Sequence, residues 1–227
     1  MNSSKTLQWY YDAIETSLAE IFAETDHDTK ICIIAHSIGG WVARGYLGGL
    51  SQSSTAVYNT AIEKCTSLVT LGSPHFSPDS ALVDQTRGLL REVESTFACS
   101  SEGLEQNGIS VTCVGSKAVK SNLLTSDLEE IVATTSYVPL IEKWSSIIKG
   151  PVSGDGIIPT ELAFMESPAR KIEVENCSIT GSPIRHAHVL PTPWNLWDGY
   201  AASIELPKDY TWYGSEGVLD QWIDAIQ

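Results

Sequence analysis

Strand-like and helix-like segments alternate along this chain, which predicts an α/β domain with a mostly parallel sheet and flanking helices. Three observations carry that expectation. Ile31–Cys32–Ile33–Ile34–Ala35 is a continuous apolar run without alternation, the pattern of a strand buried on both faces. It runs into Ala35–His36–Ser37–Ile38–Gly39–Gly40, a turn crowded with small residues that opens a helix-like stretch. Further short β-rich runs follow, separated by segments of helical periodicity, the signature of a sheet built from crossover connections.

Leu7, Tyr10, Tyr11, Ile14, Leu18, Ile21 and Phe22 recur at three- and four-residue steps, and Ser4 can cap the run, so a helix is expected over about residues 4–24. The polar loop Thr25–Asp26–His27–Asp28 leads to the first strand. Trp41 to Leu47 reads as a helix stopped at Gly48–Gly49. Ser67–Leu68–Val69–Thr70–Leu71 forms a second strand, and Ile109 to Gly115 a third. Leu123 to Ile148 carries helical patches split at Pro139, and Lys171–Ile172–Glu173–Val174 is a fourth strand. Val218, Leu219, Trp222, Ile223 and Ile226 fall on one face of a terminal helix that Ser215 can cap.

Bulk properties narrow the partners. With 227 residues, the chain fits a single domain over 1–227, with a lid or cap insertion around 123–151. Its net charge of -14, from 28 acidic and 14 basic residues without a basic run, argues against nucleic acid and anionic membrane surfaces. No stretch of eighteen apolar residues exists to form a transmembrane segment, and peripheral membrane contact stays open. Five scattered cysteines without a CxxC pair give no support to zinc or thioredoxin chemistry, so no metal is expected. Met1–Asn2–Ser3–Ser4–Lys5 has no signal-peptide core, and the expected location is intracellular, cytoplasmic or plastid.

The turn at Ser37 carries the chemistry. A serine between a buried strand and a helix of small residues sits where a nucleophile elbow lifts its hydroxyl above the sheet's carboxyl edge. Gly39 is expected to let the helix pass close to the strand, and Ala35 stands where the usual motif has glycine. The backbone N–H of Ile38, at the helix N-terminus, points where an oxyanion would form. The plainer alternative is that Ser37 merely caps the helix.

These segments resemble a known group. Ala35–His36–Ser37–Ile38–Gly39–Gly40 resembles the elbow of lipase-like α/β-hydrolases, and Leu68 to His75 is similar to the strand and turn that follow it in lipases and GPI inositol-deacylase-like proteins. Gly154–Asp155–Gly156–Ile157–Ile158–Pro159 resembles their acid-bearing loop. Trp212–Tyr213–Gly214–Ser215 with the final helix is similar to the C-terminus of plant and algal members. The resemblance implies an α/β-hydrolase fold and a serine esterase or lipase activity, without a cofactor, on a small-molecule or lipid ester. It also implies strands before the elbow strand and a His-Gly loop that supplies a second oxyanion N–H. Residues 1–30 carry neither, so the fold is expected to be N-terminally truncated, with Ile31–Ala35 at an unpaired apolar edge.

Triad order in this fold is nucleophile, acid, histidine. Asp155 follows the third strand in a glycine-bounded loop, and Asp127 is the reserve acid, although it can simply cap a helix. Arg185–His186–Ala187–His188 lies where the base belongs; His186 is favoured, and His188 stays open. His36, beside the nucleophile, packs against the turn. With His75, Trp144 and Trp194 it is expected to contribute to substrate binding, since apolar walls near a nucleophile suit acyl chains. Acyl transfer and thioester cleavage are further possibilities, and a pseudoenzyme or binding module of the same fold is the rival from another class.

Overall fold

The computed structural model describes residues 3–51, 55–77, 86, 88–141, 150–187 and 210–226. Helix α1 (Ser3–Glu24) leads into β1 (Ile31–His36), α2 (Ile38–Leu47), α3 (Ala56–Lys64) and β2 (Cys65–Leu71). Helices α4 (Leu89–Ser95) and α5 (Ser101–Gln106) precede β3 (Ser110–Ser116) and the short β4 (Val119–Lys120). Helix α6 (Leu128–Tyr137), β5 (Ser153–Gly154), β6 (Arg170–Val174), β7 (Ile184–Arg185) and β8 (Thr211–Trp212) follow.

Strands β1, β2, β3 and β6 form one parallel sheet in that order. Successive side chains of a strand leave on opposite faces, and two apolar layers follow from this. Leu68 and Cys113 join Leu7, Tyr11, Trp41, Val42, Tyr46 and Leu104 on the face covered by α1, α2 and α5. Val69 and Val114 join Ile184, Tyr213, Val218 and Trp222 on the other face. The C-terminal segment therefore serves as the second cover of the sheet. Strand β1 lies at the edge: among the described residues only β2 pairs with it, and Ile34 is 47% exposed. A groove of about 510 Å³ opens beside it, between α1 and α2.

Three expectations need correction. The terminal helix is instead two 3-10 turns, Leu219–Gln221 and Ile223–Ala225. Of the expected apolar face only Val218 and Trp222 are buried, while Ile223 and Ile226 are exposed; Gly217 takes a positive φ of 76° and Trp222 leaves helical geometry at φ -140°. Ser215 Oγ accepts the Trp212 N–H and so does not cap the segment. The close approach of helix to strand belongs to Gly40 and not to Gly39. A Cβ on Gly40 would stand 2.1 Å from Ser73 Oγ, whereas one on Gly39 would meet only Ala35 Cβ at 3.8 Å.

Between residues 123 and 151, α6 packs against the β4–β5 pair through buried Ala133 and Tyr137, while 142–149, and with them Trp144, lie outside the described residues. No helix of the described residues is long and apolar enough to cross a membrane.

Candidate active site

Strand β1 delivers Ser37 at the carboxyl edge of the sheet. Its backbone is pinned by Ser37 N–H donating to Leu71 O at 3.0 Å, and α2 begins at the next residue. Ser37 has φ 55° and ψ -130°, the only positive φ at a non-glycine among the described residues. Such a conformation costs a residue with a Cβ of order 1–3 kcal/mol, and surrounding structure must impose it. Its side chain makes no capping bond to α2, which removes the plain helix-cap reading.

The hydroxyl meets an imidazole. Ser37 Oγ lies 2.9 Å from His186 Nε2, and His186 Nδ1 lies 2.8 Å from Asp155 Oδ2. With the Nδ1 proton directed at the carboxylate, Nε2 is left to accept the serine proton. The chain path accounts for the placement of His186. It directly follows β7, its N–H donates to Asp155 O at 2.8 Å, and its carbonyl accepts His36 Nε2–H at 2.6 Å. The His36 ring also lies 4.7 Å from that of His186, tilted by 40°, and Trp212 meets His36 edge-on. His36 thus holds the second histidine by its backbone, and burial, then the neighbouring imidazole, pushes its pKa down.

Asp155 is buried in the turn after β5. Oδ1 accepts the N–H groups of Ile157 at 3.0 Å and Ile158 at 2.7 Å, and Oδ2 accepts the Tyr213 hydroxyl at 2.9 Å besides the imidazole. Burial alone would raise its pKa. The His186 charge and bond, with the two backbone donors, outweigh that and hold it below the ordinary value. Helix α6 buttresses this turn, since Tyr137 donates to Val119 O and accepts Gly156 N–H at 2.7 Å. Arg185, paired with Glu129 of α6, walls a 20 Å³ cavity behind Asp155 and His186.

Other expected residues lie elsewhere. Asp127 caps α6 by accepting Glu129 and Glu130 N–H groups, so it is unavailable as the acid. His75, expected at the substrate, is fully buried in the core under the sheet. Its Nδ1 faces Arg44 at 3.0 Å and its Nε2 faces Thr70 Oγ1 at 3.0 Å; Arg44 also binds Cys99 O. A side chain so enclosed cannot reach a ligand at Ser37. Burial, then the guanidinium, drives its pKa well down, so it is neutral. His188 and Trp194 lie outside the described residues. Ile38, at the first position of α2, has its N–H free of any acceptor among the described residues. His36, Ile38 and Gly39, which flank Ser37 in the chain, line the apolar groove, whereas Ser37 itself is not among its lining residues. Two contributors escaped the sequence reading, the Tyr213 hydroxyl and the backbone clamp by His36. The Trp212–Tyr213 pair was the available signal for the first.

No curated protein matches this chain. A family model for a PGAP1-like alpha/beta domain matches residues 3–143, which take in Ser37 and most of the sheet but end before Asp155 and His186. With an elbow at the edge of a parallel sheet and helices on its flank, that match covers well over half of the 227 residues. The chain belongs to the PGAP1-like alpha/beta domain family, a lipase-like α/β-hydrolase family.

Proposed function

We propose that this chain is a serine hydrolase of carboxylic esters, with Ser37 as nucleophile, His186 as base and Asp155 as the acid that orients it. The observation that carries the reading is the continuous relay from Ser37 Oγ through His186 to Asp155, with links of 2.9 Å and 2.8 Å, mounted on a strained elbow. His186 Nε2 takes the Ser37 proton as Oγ bonds to the ester carbonyl carbon, and the carbonyl π electrons move onto oxygen. The Ile38 N–H and the α2 N-terminus stabilise that oxyanion. Collapse expels the alcohol, which takes the proton from His186 and leaves an acyl-enzyme. Water, deprotonated by the same imidazole, then releases the carboxylic acid and restores Ser37. Asp155 stays ionised throughout and stabilises the imidazolium.

The substrate class is an acyl lipid or comparable apolar ester. The groove beside β1 supports this: at about 510 Å³ it falls in the size range of ligand clefts, and Ile14, Leu18, Ile33 and Ile34 line it. Hydrolysis of p-nitrophenyl esters of increasing chain length tests both parts. Expected is kcat/KM that rises from acetyl to octanoyl and collapses in Ser37→Ala. Undiminished turnover by Ser37→Ala would defeat the catalytic assignment, and a flat chain-length series the substrate class.

A further inference from the structure

Strands β7 and β8 pair in parallel, Ile184 with Thr211 and Arg185 with Trp212. The next residue on each strand is therefore delivered to the same place: His186 from one and Tyr213 from the other. Both bond the same oxygen, Asp155 Oδ2, at 2.8 Å and 2.9 Å. The direction of the phenol's bond is settled by its third neighbour. Ser116 N–H, at the end of β3, donates to Tyr213 Oη at 3.0 Å, which leaves the phenol's single proton for the carboxylate. Burial, then the Asp155 charge and bond, raises the Tyr213 pKa well above its ordinary value, so the proton stays on.

The surroundings are shaped around this contact. Gly72 ends β2 with φ 53°, and a Cβ there would stand 2.6 Å from Asp155 Oδ2 and 2.8 Å from Tyr213 Cε2. Trp222 Nε1–H anchors the Tyr213 carbonyl at 2.9 Å. A buried tyrosine needs one partner for its hydroxyl; this one has two, and one is the acid of the proposed relay.

We propose that Tyr213 is a positioning residue of the Ser37–His186–Asp155 relay, whose phenol O–H orients the Asp155 carboxylate and takes up part of the charge that faces His186. The inference rests on the hydrolase reading above. Its consequence follows from sharing: a carboxylate oxygen with two donors stabilises each less than it would one alone. Without the phenol, Asp155 Oδ2 would have the His186 Nδ1–H as its one side-chain donor, and that bond would tighten. Among the described residues, the other ionisable groups around the imidazole are His36 beside its ring, Tyr137 behind the acid turn, and Arg185, Glu129 and Tyr210 around the small cavity. None of these is altered by a change confined to the Tyr213 ring.

The test is the proton NMR resonance of His186 Nδ1–H in the intact chain, wild type against Tyr213→Phe and against a singly ring-fluorinated tyrosine at position 213. The fluorinated phenol fills nearly the same space and is a stronger donor, so it carries the test if Tyr213→Phe fails to fold. Expected is a downfield move of that resonance for Tyr213→Phe, as its bond to Asp155 shortens, and an upfield move for the fluorinated ring. A fluorinated-ring resonance that superimposes on wild type, or moves of the opposite sign, overturns the proposal. Failure of the hydrolase reading is seen separately, as a Ser37 that a fluorophosphonate never modifies.

Discussion

Replacing Asp155 with asparagine removes one charge from a side chain that has almost no freedom to adjust. Its Oδ1 accepts two backbone N–H groups, of Ile157 and Ile158, which cannot reorient. The amide oxygen of an asparagine must stay with them, so its NH2 takes the place of Oδ2, opposite the His186 ring nitrogen and the Tyr213 hydroxyl. Donor would then face donor unless the imidazole gives up its Nδ1 proton. The ring accordingly adopts the Nε2–H tautomer and aims a proton at Ser37 Oγ, 2.9 Å away, where it can no longer act as base. A triad with this tautomer loses on the order of 10⁴ in kcat, which is about 5 kcal/mol of barrier. The Tyr213 hydroxyl, left against an amide N–H, costs a further ~1–3 kcal/mol of fold stability. Ester hydrolysis normalised to folded protein, with urea unfolding alongside, reads both quantities. Asp155→Asn turnover within tenfold of wild type would refute the tautomer reasoning.

Other outcomes follow from the same geometry. Gly40→Ala should destabilise the fold by about 1–3 kcal/mol, because its Cβ would overlap Ser73, whereas Gly39→Ala should be neutral or stabilising by up to about 1 kcal/mol; thermal melts of the two variants separate them. Ser37→Gly relieves a positive φ at the expense of a more flexible unfolded chain, and calorimetry should find it melting about 2–5 °C above Ser37→Ala. His75 is neutral when folded but takes a proton in the unfolded chain near its ordinary value of 6.5. Stability should therefore fall as pH drops through that value, by about 1 kcal/mol from roughly pH 7 to 5.5, and urea titrations should show His75→Gln losing less by that amount.

The parts of this molecule that were legible in its sequence are those set by local pattern. Ile31–Ala35 announced β1, although at the sheet's edge, with Ile34 exposed, it is not buried on both faces as the unbroken apolar run suggests. The small residues after Ser37 announce a helix forced close to a strand. Strands β2, β3 and β6 were equally visible, within two residues at each end. What stayed hidden depends on contacts remote in the chain. His36 clamps the His186 carbonyl across 150 positions, and Tyr213 reaches Ser116 across 97, and no periodicity encodes either. His75 misled because a histidine after a Gly-Ser-Pro turn suggests an exposed loop, yet here the loop folds inward and Arg44 from α2 supplies its partner. The terminal segment misled for a different reason. Buried residues at 218, 222 and 225 satisfy helical spacing, but consecutive 3-10 turns place them against the sheet just as well, and Gly217 turns the chain where a helix would have begun.

In the proposed hydrolase, Ser37 is a nucleophile made reactive by His186. Peptide mass mapping after brief exposure to a fluorophosphonate tests that role most directly. Expected is a covalent adduct on Ser37 in the wild-type chain, formed at least about a hundredfold more slowly in His186→Ala, as loss of a general base requires. An adduct on any other residue, no adduct at all, or equal rates in the two proteins would contradict it.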